Sequence, residues 1–396
     1  MTLTRLEALV CLTVVLAGIN TANAEVVKLL DTTMIEATEK FYRWSEGSTI
    51  ALDSKSRLLM AVTMFGPGGH DHTTGAIYQF RSNDGGLTWT PLEQAKILQH
   101  SVGKQNTMSP ALLKLDNGDI LCFVNVKNSR EDCGPWVKRS TDGGKTWGKL
   151  KRLPYDGYGC VGSDRAIQIS TGRVLVPCFV SKDKLKSSHS WVFYSDDRGE
   201  TWRRTALIST PKGSTGRRTD PAAEEPMIIE LKDGRLMMIL RTYLKFIYAC
   251  YSSDGGATWS KPANSGIPSP GSMATIKRMP DGNILLIWNW APLDKINGPW
   301  PRTFISSAVS TDEGRNFSSV RHLDGSADFK GKITMANVIF VGDRAVITYS
   351  KSPTKKNHYS WRLQVIPLAW FYDGDRSKVY GEKFLATWQA KRSAGR

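Results

Sequence analysis

One short phrase is written into this chain five times: RSNDGGLTWT, RSTDGGKTWG, YSDDRGETWR, YSSDGGATWS and VSTDEGRNFS. Its serines, Ser82, Ser140, Ser195, Ser252 and Ser310, stand 58, 55, 57 and 58 residues apart. Self-similarity at such a period means that one supersecondary unit is stacked repeatedly, because a single unit cannot bury its apolar face alone. Within the phrase the Asp carboxylate and the glycines specify a tight turn. Asp bonds backbone amides ahead of it, and Gly accepts backbone angles that other residues avoid. The Thr-Trp pair that follows opens the next strand and leaves an indole to pack between units.

Alternating apolar runs such as AIYQFRS and RTFISSAVS lead into the phrase with the period of a half-buried strand. A second turn recurs within the units, in LDNGDILCF, ISTGRVLVP, LKDGRLMMIL, MPDGNILLIW and FVGDRAVITY. Each unit therefore reads as four antiparallel strands, and the predicted fold is all-β, a six-bladed β-propeller. The sixth blade lacks the phrase. It is expected in ANVIFVGDRAVITYSK and SWRLQVIPLAWFY, completed by a strand from EVVKLLDTT at the other terminus, which removes an open sheet edge. The expected organisation is a leader over 1–24, the propeller over 25–390 and a basic tail over 391–396.

The leader is read from Arg5, an apolar stretch over residues 8–19 and the small-x-small site Ala22-Asn23-Ala24. The stretch is too short to span a bilayer well. A secreted or periplasmic chain starting at Glu25, with no integral membrane segment, is expected. The net charge of +16 is then read as a Lys-rich solvated surface or as attraction to acidic glycans, export arguing against a nucleic-acid partner. Five cysteines remain beyond the leader, an odd number without disulfide or zinc spacing. Cys133 and Cys160 fall in loops, and their pairing is left open. His70 and His72 have no clear third ligand, so neither a metal nor an organic cofactor is expected.

Aligning the units by their internal turn shows which residues enter the central pocket. They are Arg43, Ser45 and Glu46 from blade 1, and Asn106 and Met108 from blade 2. Blade 3 brings Asp164 and Arg165, and blade 4 brings Glu224 and Glu225. Blade 5 brings Ser272 and Met273, and blade 6 brings Thr334 and Met335. Charged groups at the mouths of otherwise apolar strands are the informative exceptions.

The repeated phrases resemble the Asp-boxes of the sialidase (neuraminidase) superfamily, in particular its secreted bacterial members. RWSEG, DRAIQISTGR and EEPMIIELKDGR add to the likeness, which covers nearly the whole mature chain. The resemblance implies an exo-acting glycoside hydrolase that removes a terminal sialic acid or related acidic sugar. Its carboxylate clamp maps onto Arg43, Arg241 and Arg302, guanidinium being the planar, permanently charged partner that a carboxylate needs. Asp71, in the Gly-rich loop FGPGGHDHTTGA, maps onto the general acid, and Glu225, with Glu224 as its neighbour, onto the buried glutamate that serves as base. Glu46, Asp164, Arg165 and Lys127 are expected to contact the substrate. The family's tyrosine nucleophile has no counterpart, because its position falls on Thr334 or Met335. Three alternatives stay open: another aromatic such as Tyr349 or Tyr158, direct attack by water, or an acidic-glycan-binding propeller without hydrolysis.

Overall fold

A computed structural model describes residues 26–394, apart from 55, 156, 183–185, 214–219, 297–300 and 355–356. The leader read at residues 1–24 lies outside the described residues. Six small antiparallel sheets form the six blades of a propeller. Blade 1 consists of Arg43–Ala51, Leu58–Phe65, Gly75–Ser82 and Lys96–Gln99, and blade 2 of Asn106–Lys114, Ile120–Lys127, Cys133–Ser140 and Lys151–Arg152. Blade 4 has the same plan in Glu224–Glu230, Leu236–Arg241, Phe246–Ser252 and Ala263–Pro268. In blade 3 the inner edge is broken into Gly159–Val161 and Ile167–Gln168, both paired to Val174–Lys182.

The ring closes as the sequence implies. Leu30–Ile35 pairs antiparallel with Ser360–Pro367 and becomes the outer strand of blade 6, whose inner strand is Lys332–Val341. Two boundaries differ from expectation. The last strand stops at Pro367, and Leu368–Tyr372 form a 3-10 turn that buries Trp370 and Phe371. Residues 391–394, expected as the start of a basic tail, are the last turn of a helix, Glu382–Ala394. Its Trp388 ring lies 5.1 Å from that of Phe246 on blade 4, and Tyr380–Gly381 just before it adds a strand to blade 5.

Apolar clusters sit between neighbouring blades rather than within one. Met227, Ile239 and Ile247 of blade 4 pack on Ile276, Leu286 and Trp288 of blade 5. Trp44 and Met60 of blade 1 pack on Trp361 of blade 6. Stacking is thus the core, as the repeat period demands.

The Asp-boxes are self-satisfied turns. In all five, the Ser hydroxyl donates to the Asp carboxylate at 2.7–2.9 Å. The same hydroxyl accepts the N–H of the residue four positions on, again at 2.7–2.9 Å. The Asp carboxylate then accepts the N–H of the Thr that precedes Trp (Asn316 in the fifth box). These bonds hold the Asp142 and Asp197 carboxyls below their usual range. In a four-stranded antiparallel blade this third-to-fourth turn lies at one end of the ring. The second-to-third loop and the blade-to-blade crossings lie at the other, and that end carries the charged cluster.

Candidate functional site

The charged cluster is built where inner strands begin and second strands end. Arg43 is the first residue of the inner strand of blade 1, and Arg241 the last of the second strand of blade 4. Arg302 directly precedes the strand Phe304–Ser310 of blade 5. A backbone irregularity helps to aim the acidic partners. Glu46 and Glu225 have φ of 58° and 45°, and at both places the ladder register shifts. Ser109, Asp164 and Met335 share this left-handed conformation at the matching position of their blades, at 56–59°. Because residues without acid-base chemistry adopt it too, the bulge belongs to the repeat, and the site exploits it.

Two ion-pair groups face the mouth. In the first, the Arg43 guanidinium bonds Asp71 at 2.8 Å and Glu46 at 2.9 Å, stacked 4.4 Å from the Phe65 ring centroid. Glu46 also accepts the Ser109 hydroxyl at 2.8 Å. Burial pushes the Glu46 carboxyl up to about 7, against the opposing pull of Arg43, with Asp71 and Glu225 adding like-charge repulsion. Burial disfavours charge on Asp71 as well, but the Arg43 contact outweighs it and holds this carboxyl below its usual range. In the second group Arg241 pairs with Glu225 at 2.9 Å and with Glu224 at 3.5 Å. Burial works against the Arg241 cation, and the neighbouring Glu225, Tyr243 and Glu224 raise its pKa above the ordinary value all the same.

Arg302 differs from the other two. Its guanidinium donates to the Thr334 hydroxyl at 3.2 Å and to the Gly271 carbonyl at 3.3 Å. Burial and the like charge of Arg241 lower its pKa to about 10. Arg302 and Arg241 thus lie close enough to feel one another, and Tyr359 feels both Arg43 and Arg302. Between the two groups lies a cleft of about 80 Å³, lined by Glu46, Asp71, Tyr158, Glu225 and Met335 among others. One buried oxygen of Glu225, Oε2, has no hydrogen-bond partner in this state.

The remaining expected residues divide. Lys127 is buried behind the cleft and donates to the Tyr158 hydroxyl at 3.1 Å. Asp164 and Arg165 do not line this cleft, although Arg165 runs against Gly162 of its wall and feels the Glu225 carboxylate. They line a larger cavity, about 910 Å³, at the Asp-box end of the central channel. There Asp164 accepts from Lys277 at 2.6 Å and from Ser48 at 2.8 Å, and Arg165 donates to the Ala274 carbonyl at 2.7 Å. From this segment of blade 3, Gly162 and Ser163 line the cleft.

The tyrosine question also gains geometry. Of the two residues at which the nucleophile was expected, Met335 lines the cleft and Thr334 accepts from Arg302. Tyr349 is buried in the packing of blades 5 and 6, its hydroxyl on Asp324 at 2.7 Å. Two tyrosines not singled out in the sequence stand in the site. The Tyr243 hydroxyl donates to Glu224 at 2.8 Å and accepts from Arg241 at 2.8 Å. Tyr359 lies beside Arg43, its ring centroid 5.8 Å from the guanidinium carbon; burial raises its pKa against the pull of Arg43 and Arg302. Tyr243 follows Arg241 by two residues, a spacing visible in the sequence. Nothing local marked Tyr359.

Comparison with known proteins agrees with this architecture. Residues 94–365 match the BNR repeat-like domain family. The chain is 28% identical over 220 residues to a sialidase of Paraclostridium sordellii, a match covering 48% of this chain and 51% of that protein. It is 27% identical over 227 residues to a sialidase of Clostridium perfringens, covering 50% and 56%. The chain thus spans about half the length of these relatives. Among solved structures, a Hadza microbial sialidase superposes with a TM-score of 0.68 at 18% identity over 88% of this chain and 70% of the other. The Trypanosoma rangeli sialidase in complex with sialic acid superposes with a TM-score of 0.63 at 16% identity, covering 87% and 58%. Matched over most of its length and carrying five Asp-boxes on six blades, the chain is a member of the BNR repeat-like family within the sialidase superfamily.

Proposed function

We propose that this protein is an exo-acting glycoside hydrolase that releases a terminal acidic sugar, sialic acid by kinship, from glycoconjugates. The reading is supported by Arg302 lying against Arg241, by Tyr359 between Arg43 and Arg302, and by the three carboxylates Glu46, Asp71 and Glu225 that line one cleft beside them. Three guanidinium groups suit one substrate carboxylate, and bidentate pairing fixes its orientation as well as its charge.

The geometry supports a sequence of events. In the free site Arg43 holds Asp71 ionised. A substrate carboxylate competes for the same guanidinium. When it takes Arg43, the influence that keeps Asp71 acidic is relieved while water leaves the cleft, and the Asp71 pKa rises toward that of a general acid. Asp71 then protonates the leaving oxygen. On the opposite side Tyr243 and Glu224 form the tyrosine–carboxylate pair that the sequence lacks at its usual place. Glu224 accepts the phenolic proton, and Arg241 steadies the phenolate as Tyr243 attacks the anomeric carbon. A neutral phenol suits this role because a carboxylate nucleophile would be repelled by the substrate's own charge. Glu225, one oxygen open, is the base for the attacking water.

The test is release of fluorophore from a fluorogenic α-linked sialoside by the purified chain, with Asp71→Asn and Tyr243→Phe beside it. Release that both variants lose supports the assignment. Release lost in Asp71→Asn but kept in Tyr243→Phe rejects the tyrosine step and leaves attack by water. Absence of release from this and other acidic-sugar glycosides, with binding retained, rejects hydrolysis in favour of an acidic-glycan-binding propeller.

A further inference from the structure

We infer that Cys133 and Cys160 are a structural disulfide pair that staples the wall of the cleft. Their sulfurs are 3.4 Å apart, and both side chains are buried, at 0% and 3% exposure. A disulfide bond is about 2.05 Å long, so the sulfurs need to approach by only about 1.4 Å. Cys133 opens the third strand of blade 2, and Cys160 is the middle residue of the inner segment Gly159–Val161 of blade 3. Backbone contacts already hold the two together, since the Cys133 N–H bonds the Gly157 carbonyl at 3.0 Å and Cys133 bridges Tyr158.

The other thiols are placed differently. Cys122, Cys178 and Cys250 are buried in the apolar clusters between blades 1 and 2, 2 and 3, and 3 and 4. Among the described residues, no other two sulfurs come within hydrogen-bond reach. The odd cysteine count that hid the pair in the sequence is resolved as one pair and three packed thiols.

The chemistry balances simply. Each thiol gives up its hydrogen, one S–S bond forms, and two electrons with two protons pass to an oxidant of the disulfide class. That oxidant is a dithiol–disulfide oxidoreductase, or oxidised glutathione, which becomes two thiols. Export through the leader read at residues 1–24 would put the chain where such oxidants act. The folded site itself is a poor place for the reaction to start. The thiols share a hydrogen bond away from solvent, and that contact together with burial raises the Cys133 pKa, leaving little thiolate to attack. The bond therefore forms while blades 2 and 3 are still assembling and is shielded afterwards.

The staple has a position in the site. Cys160 lines the cleft beside Tyr158, whose ring lies 5.0 Å from Lys127 Nζ. Tying Cys160 to blade 2 fixes the segment that carries Tyr158 without depending on which sugar binds.

The experiment is peptide mapping of the full chain recovered from a bacterial periplasm, denatured, alkylated without reductant and digested. The expected result is a linked peptide pair containing Cys133 and Cys160, with alkylation confined to Cys122, Cys178 and Cys250. Reduction should then lower Tm by about 4 °C, from the closure entropy of a loop of this length spread over a domain of this size. Alkylation of all five cysteines, both in periplasmic protein and after refolding in a glutathione redox buffer, overturns the proposal. So does a linked peptide joining Cys160 to Cys178. None of these outcomes depends on whether the sialoside is cleaved.

Discussion

The two ends of this ring are built on opposite principles. At the Asp-box end five turns repeat the same bonds, each Ser and Asp consumed by the turn's own backbone. At the other end no two blades are alike. Blade 1 supplies Arg43, Glu46 and Asp71, blade 4 supplies Glu224, Glu225, Arg241 and Tyr243, and the charged side chains there pair with one another, reach across blades as Ser109 does to Glu46, or keep an oxygen open. Repetition stabilises by local satisfaction. Departure from repetition is where binding and chemistry become available.

The contrast can be broken in several ways. The largest effect is expected from Arg241→Ala. It strips Glu224 and Glu225 of their shared cation, leaves two carboxylates near-buried, and should cost about 3–5 kcal/mol of stability together with essentially all turnover. Turnover retained in that variant would show that the irregular end is not the active one. Asp71→Asn comes next. Its side chain is half exposed, so thermal stability should hardly move while kcat falls by roughly 10²–10⁴. Steady-state kinetics beside a melting curve separates the two.

At the opposite end, Ser140→Ala removes the hydroxyl that satisfies the Gly144 N–H and contacts Asp142. We expect a loss of about 1–3 kcal/mol in denaturant unfolding and an unchanged kcat. A change in kcat with stability intact would break the division between ends. The smallest effect is the pH dependence carried by Glu46. Its folded pKa, about 7, lies above the unfolded value near 4.5, so the native state holds the extra proton between them. Its contribution is greatest below pH 4.5 and fades as pH rises through 7. The Tm difference between wild type and Glu46→Gln should therefore drift in favour of the variant from pH 5 to pH 8. A difference that stays flat with pH would place Glu46 outside that titration.

What could be read from the chain follows the same division. The Asp-box is a local device of about ten residues, so it announced five of the blades, while the sixth and the end-to-end closure were read from the recurring internal turn and the two terminal strands. The arginines and Asp71 were readable only through kinship, because no short window marks them: Arg43 meets Asp71 28 residues away and Arg302 meets Thr334 32 residues away. Tyr359 was invisible for this reason: it meets Arg43 only because the ring brings the sixth blade against the first. Asp164 and Arg165 were expected at the cleft from their place in the repeat, but their side chains are engaged at the wide cavity by Ser48, Lys277 and the Ala274 carbonyl, partners more than a hundred residues away in sequence.

The seam in blade 6 carries a consequence for how the ring is made. The strand Leu30–Ile35 finds its neighbour only in Ser360–Pro367, where Arg362 meets Asp31, more than three hundred residues later. Until nearly the whole chain is available, five blades can stack in order but the circle cannot be joined. An arc of five blades ends in two uncovered apolar faces, those that blade 6 buries against blades 5 and 1. Such distant partners make the joining step slow and leave those faces exposed to other chains meanwhile. The ring's last act of folding is thus a meeting of its first strand with nearly its last, and a shortened chain lacking either would persist as a sticky crescent rather than a smaller wheel.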